Sequence, residues 1–155
     1  MIKNVWIFLP GASEGDASMR DILGGKGANL HEMCRIGLPV PPGFTISTRT
    51  CIEFLAEKRL SKEVIEEIET AIEKIEAFTN KSFGGKKGYP LLFSVRSGAK
   101  FSMPGMMDTI LNVGINDEVL ESLSKYTGNR RFALDCYRRF LEMYSDVVCK
   151  FNRSN

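Results

Sequence analysis

The stretch Leu91–Val113, LLFSVRSGAKFSMPGMMDTILNV, decides how this chain reads. An apolar run, Leu91 to Val95, leads into Arg96, Ser97 and Gly98. A loop rich in Gly, Met and Pro follows, and then a second strand-like run, Ile110 to Val113. A strand ending in a cation, small residues and a loop aims a charged group and bare amides at a bound anion. Arg suits that position because its planar guanidinium binds two oxygens at once.

The surroundings add charge. Between Glu76 and Asp108 there is no acidic residue, yet Lys81, Lys86, Lys87, Arg96 and Lys100 fall there. Such a local excess attracts phosphates, although a solvated basic loop is the simpler account of Lys81, Lys86 and Lys87. Asp108 reads as a turn carboxylate capping the Thr109 region, ahead of a role in orienting Arg96 or holding a metal.

Upstream, Leu23-Gly24-Gly25-Lys26-Gly27 precedes a helical pattern from Ala28 to Ile36, with Leu30, Met33 and Cys34 on one face and Gly37 in the position of a C-terminal cap. The glycines therefore sit at a helix start, where amides without intrahelical partners and the helix dipole favour an anion. Lys26 adds a full charge. The spacing is not that of a P-loop: the first Gly is missing, and Gly27 stands where Ser or Thr follows the Lys. By itself the segment reads equally as a glycine-rich helix start with a solvated Lys.

The 155 residues suffice for one domain or for one half of a two-lobed unit. A hydrophobic fraction of 43% and a charged fraction of 26% are ordinary for a globular protein. The net charge of +2 implies no particular partner. Nucleic-acid binding is not expected, for want of a binding motif and an overall basic balance. Cys34, Cys51, Cys136 and Cys149 form no CxxC pair, and His31 is the one histidine, which argues against a structural zinc site or a disulfide framework. Cys136 and Cys149 fall in helical patterns, where a buried thiol is expected. MIKNVWIFLPGASEG has too short an apolar stretch for a signal peptide, and no run reaches the ~20 apolar residues of a membrane span. A cytosolic location is the expectation.

Val5–Leu9 and Phe44–Ser47 read as strands. Thr48 or Thr50 is expected to cap a helix to about Lys58. Ser61 caps the next helix, whose Val64, Ile65, Ile68, Ile72, Ile75 and Phe78 recur at helical spacing. Asn80–Pro90 reads as a loop. A helix from Asn116-Asp117 to about Tyr126 is separated by Gly128-Asn129 from a last helix, Arg130 to about Lys150, with Phe132, Cys136, Phe140, Tyr144 and Val147/Val148 as a core stripe. The expected fold is α+β: one small mixed sheet from the Val5, Phe44, Leu91 and Ile110 regions, with helices packed on it.

Four segments, Gly15–Met33 (GDASMRDILGGKGANLHEM), Gly37–Thr48 (GLPVPPGFTIST), Leu91–Asp117 (LLFSVRSGAKFSMPGMMDTILNVGIND) and Asn129–Val148 (NRRFALDCYRRFLEMYSDVV), together resemble the N-terminal region of the pyruvate, phosphate dikinase family. The resemblance covers nearly the whole chain and is most specific from Ser94 to Leu111. It implies the first lobe of an ATP-grasp nucleotide-binding unit. In that family the unit passes the β-phosphoryl of ATP to a histidine on a swivelling central domain, and inorganic phosphate takes the γ-phosphoryl. A barrel domain then moves the phosphoryl group to pyruvate, with magnesium.

Lys26 and Arg96 match the family's phosphate-contacting Lys and Arg, and are the expected catalytic cations. Gly25, Gly27, Ser97, Gly98, Met103 and Gly105 are lining candidates. No metal ligand is assigned within residues 1–155: magnesium ligands, the phosphohistidine domain and the pyruvate barrel are expected outside them. His31 is expected on the helix surface and is not proposed as phosphoryl carrier. A fragment alone is expected to be inactive and to dimerise or to have limited solubility. A stand-alone nucleotide- or anion-binding module is the alternative.

Overall fold

A computed structural model describes residues 2–85, 88–98 and 109–149. The chain is α+β and divides into two compact units. Among the described residues one comprises 2–75 and Gly98, the other 76–97 and 109–149.

The first unit is built on β1 (Val5–Leu9), the central strand of an antiparallel three-stranded sheet. β2 (Ala12–Ser13) folds back on one edge, pairing Phe8 with Ser13. Helix α1 (Arg20–Arg35) follows, and then β3 (Gly43–Ile46) pairs with the other edge, setting Trp6 opposite Thr45 and Ile7 opposite Phe44. Helices α2 (Thr48–Glu57) and α3 (Lys62–Thr79) come next, and the division between units falls within α3.

Strand alternation explains the layering. Val5 and Ile7 pack with Ala71 and Ile68 of α3, whereas Phe8 points the other way, onto Cys34 and Leu30 of α1 and onto Val40. Glu67 of α3 fastens the start of β1: one carboxylate oxygen accepts from the Asn4 and Val5 amides at 2.8 Å each, the other from the Asn4 side chain at 2.8 Å. Trp6 carries a buried indole Nε1 without a hydrogen-bond partner, and Lys3 Nζ lies 4.8 Å from its ring centroid.

The second unit contains β4 (Lys81–Ser82) paired in parallel with β5 (Tyr89–Pro90). It also contains the antiparallel ladder of β6 (Phe93–Arg96) and β7 (Thr109–Val113), irregular between Phe93 and Val95. Two helices follow, α4 (Asp117–Thr127) and α5 (Arg130–Tyr144), and a π-helical turn over Ser145–Cys149. Their core joins Ile115, Val119, Leu120, Leu123, Ala133 and Cys136, with Leu92, Tyr137 and Phe140 against it. Asn116 and Asn129 cap the two helices, accepting from the Val119 amide at 2.8 Å and the Phe132 amide at 2.9 Å.

Several expectations are corrected. The four strand regions do not form one sheet: β1 and β3 pair with each other, while β6 and β7 form a separate ladder. Apolar runs fix which segments extend but not which edges meet. The expected loop at Asn80–Pro90 contains β4 and β5. Ser47 caps α2, accepting from the Thr50 amide, in place of Thr48 or Thr50. The last α-helix stops at Tyr144, and Cys149 is exposed rather than buried. Along α5 and the turn that follows it the apolar stripe is wider than the buried face: Phe132, Tyr144 and Val148 are exposed.

His31 is the largest departure. It is fully buried, at 0% exposure, with Nδ1 2.8 Å from Ser13 Oγ, Nε2 3.2 Å from Thr45 Oγ1 and its ring edge-on to Phe8 at 5.0 Å. Burial pushes its pKa down from 6.5 to about 4, against the field of Glu14 and with that of Lys3. As pH falls, the unfolded chain takes up this proton first. The stabilisation is complete above pH 6.5 and is lost as pH drops through the folded value of about 4. The linkage amounts to about 3 kcal/mol. Urea unfolding at pH 7 and pH 4.5 checks this: His31→Phe is expected to show a much smaller acid loss than the parent chain.

Candidate functional site

Gly24 sits inside α1 with φ 70° and ψ 170°, a backbone region open essentially to glycine alone. The helix breaks there and restarts at Gly25, so Gly25, Lys26 and Gly27 form the first turn of the longer segment. A helix start leaves its leading amides without carbonyls one turn back, and the dipole makes that end attractive to anions. Lys26 is half-buried and Gly25 is likewise partly covered. The expected helix start at Ala28 moves forward to Gly25, behind a preceding turn from Arg20.

Contacts from β3 and the head of α2 hold the break. Gly27 is buried, and a Cβ placed on it would lie 2.7 Å from Thr45 Cγ2, 3.1 Å from Thr45 Oγ1 and 3.3 Å from Leu23 Cβ. Gly27 therefore serves close helix-to-strand packing, a simpler reason for a glycine than an approach to phosphate. On the other side of the break, Thr48 Oγ1 donates to the Asp21 carbonyl at 2.5 Å. At its far end α1 closes on Gly37, at φ 84°: the Gly37 amide donates to the Cys34 carbonyl at 3.1 Å and the Leu38 amide to the Met33 carbonyl at 2.9 Å. This pair of bonds is the Schellman pattern.

In the second unit Arg96 ends β6, opposite Thr109 of β7, and is exposed. Ser97 follows it and is exposed, as is Gly98, which belongs to the first unit. Lys81, read as a solvated loop cation, is exposed as expected but lies in β4, 5.4 Å from the centroid of the Tyr89 ring. Met103, Gly105, Asp108, Lys86, Lys87 and Lys100 lie outside the described residues. Among the described residues no group of three His, Cys, Asp or Glu side chains is placed to hold a metal ion.

Sequence reasoning thus places Gly25, Lys26 and Gly27 together in one turn, and Arg96, Ser97 and Gly98 together at one strand end. It missed Thr45, which packs against Gly27, and the inward placement of His31; it names Gly24 only as part of the helix start and Thr48 only as a helix cap. His31 stands three residues from Ala28 and three from Cys34, which the structure shows to be fully buried.

A family model described as the pyruvate phosphate dikinase AMP/ATP-binding domain matches residues 20–82 and 59–145. The chain belongs to this family. Proteins named pyruvate, phosphate dikinase are similar throughout: the one from Clostridium symbiosum is 53% identical over 143 residues, 92% of this chain and 16% of the relative. The Rhizobium meliloti protein is 52% identical over 149 residues, 96% of this chain and 16% of the relative. A Mesembryanthemum crystallinum protein named as chloroplastic is 52% identical over 155 residues, 99% of this chain and 16% of the relative. The chain therefore spans about a sixth of the length of these curated relatives. No helix among the described residues is long and apolar enough to cross a membrane.

The contact at Gly27 yields a test. Gly27→Ala puts a methyl group where the Thr45 side chain already sits, so that side chain, α1 or β3 must shift. A loss of about 1–3 kcal/mol is expected, the usual range for overpacking, read from the urea midpoint at neutral pH.

Proposed function

We propose that this chain supplies phosphate-binding surfaces of an ATP site, as the N-terminal part of the nucleotide-binding domain of a dikinase. Such an enzyme interconverts ATP, phosphate and pyruvate with AMP, pyrophosphate and phosphoenolpyruvate through a phosphohistidine. Lys26 and Arg96 each contact nucleotide phosphates, with Gly25, Gly27, Ser97, Gly98, Met103 and Gly105 as lining. The observation that carries the reading is the break at Gly24, which opens a fresh helix start beside Lys26 in a chain of an AMP/ATP-binding family.

The chemistry suits these residues. Phosphoryl transfer spreads negative charge over the equatorial oxygens, and the protein contributes mainly position and positive charge. Lys26 supplies a point charge next to amides that already favour an anion, and Arg96 a two-pronged donor on a strand end. The ATP-grasp lobe architecture, the acceptor histidine, the magnesium ligands and the pyruvate site complete this reading, the last three lying in protein beyond these 155 residues. So do a cytosolic setting and self-association through apolar side chains left exposed, Ile52 and Leu55 in one unit and Phe132 and Leu141 in the other.

Titration calorimetry with ATP tests the proposal. Lys26→Ala and Arg96→Ala are each expected to weaken binding about tenfold or more, the usual effect of losing a charge-assisted contact. Gly24→Ala is expected to weaken it with every charge kept, because alanine favours a continuous helix and closes the break. Absence of ATP binding by the parent chain overturns the proposal. Turnover of pyruvate by these 155 residues alone overturns the placement of the acceptor histidine elsewhere.

A further inference from the structure

His31 lies on the same helix as Lys26, a little over one turn further on, and its ring is enclosed by three strands of one sheet. Phe8 of β1 meets it edge-on, Ser13 of β2 lies 2.8 Å from Nδ1, and Thr45 of β3 lies 3.2 Å from Nε2. Gly15 is buried alongside: a Cβ there would stand 3.2 Å from the ring atoms Cγ and Nδ1. The charged groups whose fields reach the ring are Glu14 and Lys3, which are bound to each other at 2.9 Å.

The hydrogen bonds assign the tautomer. Ser13 Oγ has one proton, and the Gly15 carbonyl, which can only accept, takes it at 2.8 Å. Ser13 Oγ must therefore accept from His31, which places the imidazole proton on Nδ1. Nε2 is left as an acceptor, and the Thr45 hydroxyl donates to it. The Thr45 side chain is thus fixed at its hydroxyl by His31. The same side chain fills the space beside Gly27, with Cγ2 2.7 Å and Oγ1 3.1 Å from the position a Cβ would take.

We infer that His31 is a positioning residue: as the neutral Nδ1–H tautomer it fixes the Thr45 side chain, and Thr45 sets where the Gly25–Gly27 turn, and with it Lys26, lies on the sheet. The ring takes no part in chemistry. It acts through one rotamer of one threonine, and a gain of charge on Nε2 would turn the Thr45 hydroxyl around. The consequence for ATP affinity rests on the phosphate-binding reading of Lys26; the link from His31 through Thr45 to Gly27 does not.

Because His31 is the one histidine of the chain, long-range proton–nitrogen correlation spectra report its tautomer without any variant. Nδ1–H is expected, and Nε2–H overturns the inference. His31→Phe keeps a ring against Phe8 and removes both nitrogens; Thr45→Val keeps the methyl contact with Gly27 and removes the hydroxyl. Each is expected to shift the amide signals of Gly25, Lys26 and Gly27 and to weaken ATP binding about five- to tenfold. The double variant is expected to be no worse than either single one, since both break the same link. Additive losses, or unmoved amide signals, overturn the inference. If the parent chain binds no ATP, the reading of Lys26 as a phosphate contact falls, and the tautomer and amide shifts still decide the link to Thr45.

Discussion

Gly27 and Thr45 occupy one another's space. The absent side chain of one leaves room for the whole side chain of the other, with less than 3 Å from the Thr45 methyl to where a β-carbon would be. That approach is where α1 and the edge strand β3 meet without an intervening side chain on the helix. Three residues earlier the helix from Arg20 is not continuous. The path is adjusted at Gly24, in a conformation closed to other residues. Thr48 then holds the carbonyl on the near side of the break, and Thr45 the backbone on the far side. In sequence Lys26 stands between these two contacts, which fall on Asp21 and Gly27.

The second unit uses other means. Its core is a helix pair closed by asparagine caps, and Asn112, at φ 59°, ties β7 to α5 by donating to the Cys136 carbonyl at 3.0 Å. The ladder of β6 and β7 is only partly covered, with Ser94, Val95 and Arg96 exposed. A cation on an open strand end remains hydrated and keeps its reach, whereas Lys26 sits in a half-buried turn. The two cations singled out by the sequence thus stand in different settings, one just after a glycine-only backbone conformation and one at the end of a paired strand.

Much of this was legible in the sequence, and the reasons differ by element. The helix starts near Asn116 and Asn129 and the glycine after α1 act within a few residues of themselves, so local spacing reveals them, although that the two asparagines are the caps came only with the structure. The amphipathic period of α3 likewise found two of its three buried residues, Val64 and Ile75, but passed over Ala71 and took in Ile65 and Phe78, which are exposed. Strand pairing was not legible, because β6 and β7 have the same apolar character as β1 and β3, and nothing local says that the two ladders stay apart. His31 was misread for a related reason. A polar residue on a helix is assigned outward unless its partners are visible, and its partners, Ser13 and Thr45, come from two different strands.

Trp6 gives this arrangement an optical reporter. It is the single tryptophan of the chain and stands opposite Thr45 in the pairing of β1 with β3. Its indole N–H is enclosed without an acceptor, and the Lys3 ammonium lies over its ring. Emission from such an indole responds to small changes in polarity and in the distance of that cation. Light absorbed at one residue therefore reports on the strand pair that carries Thr45, with no label added to the chain.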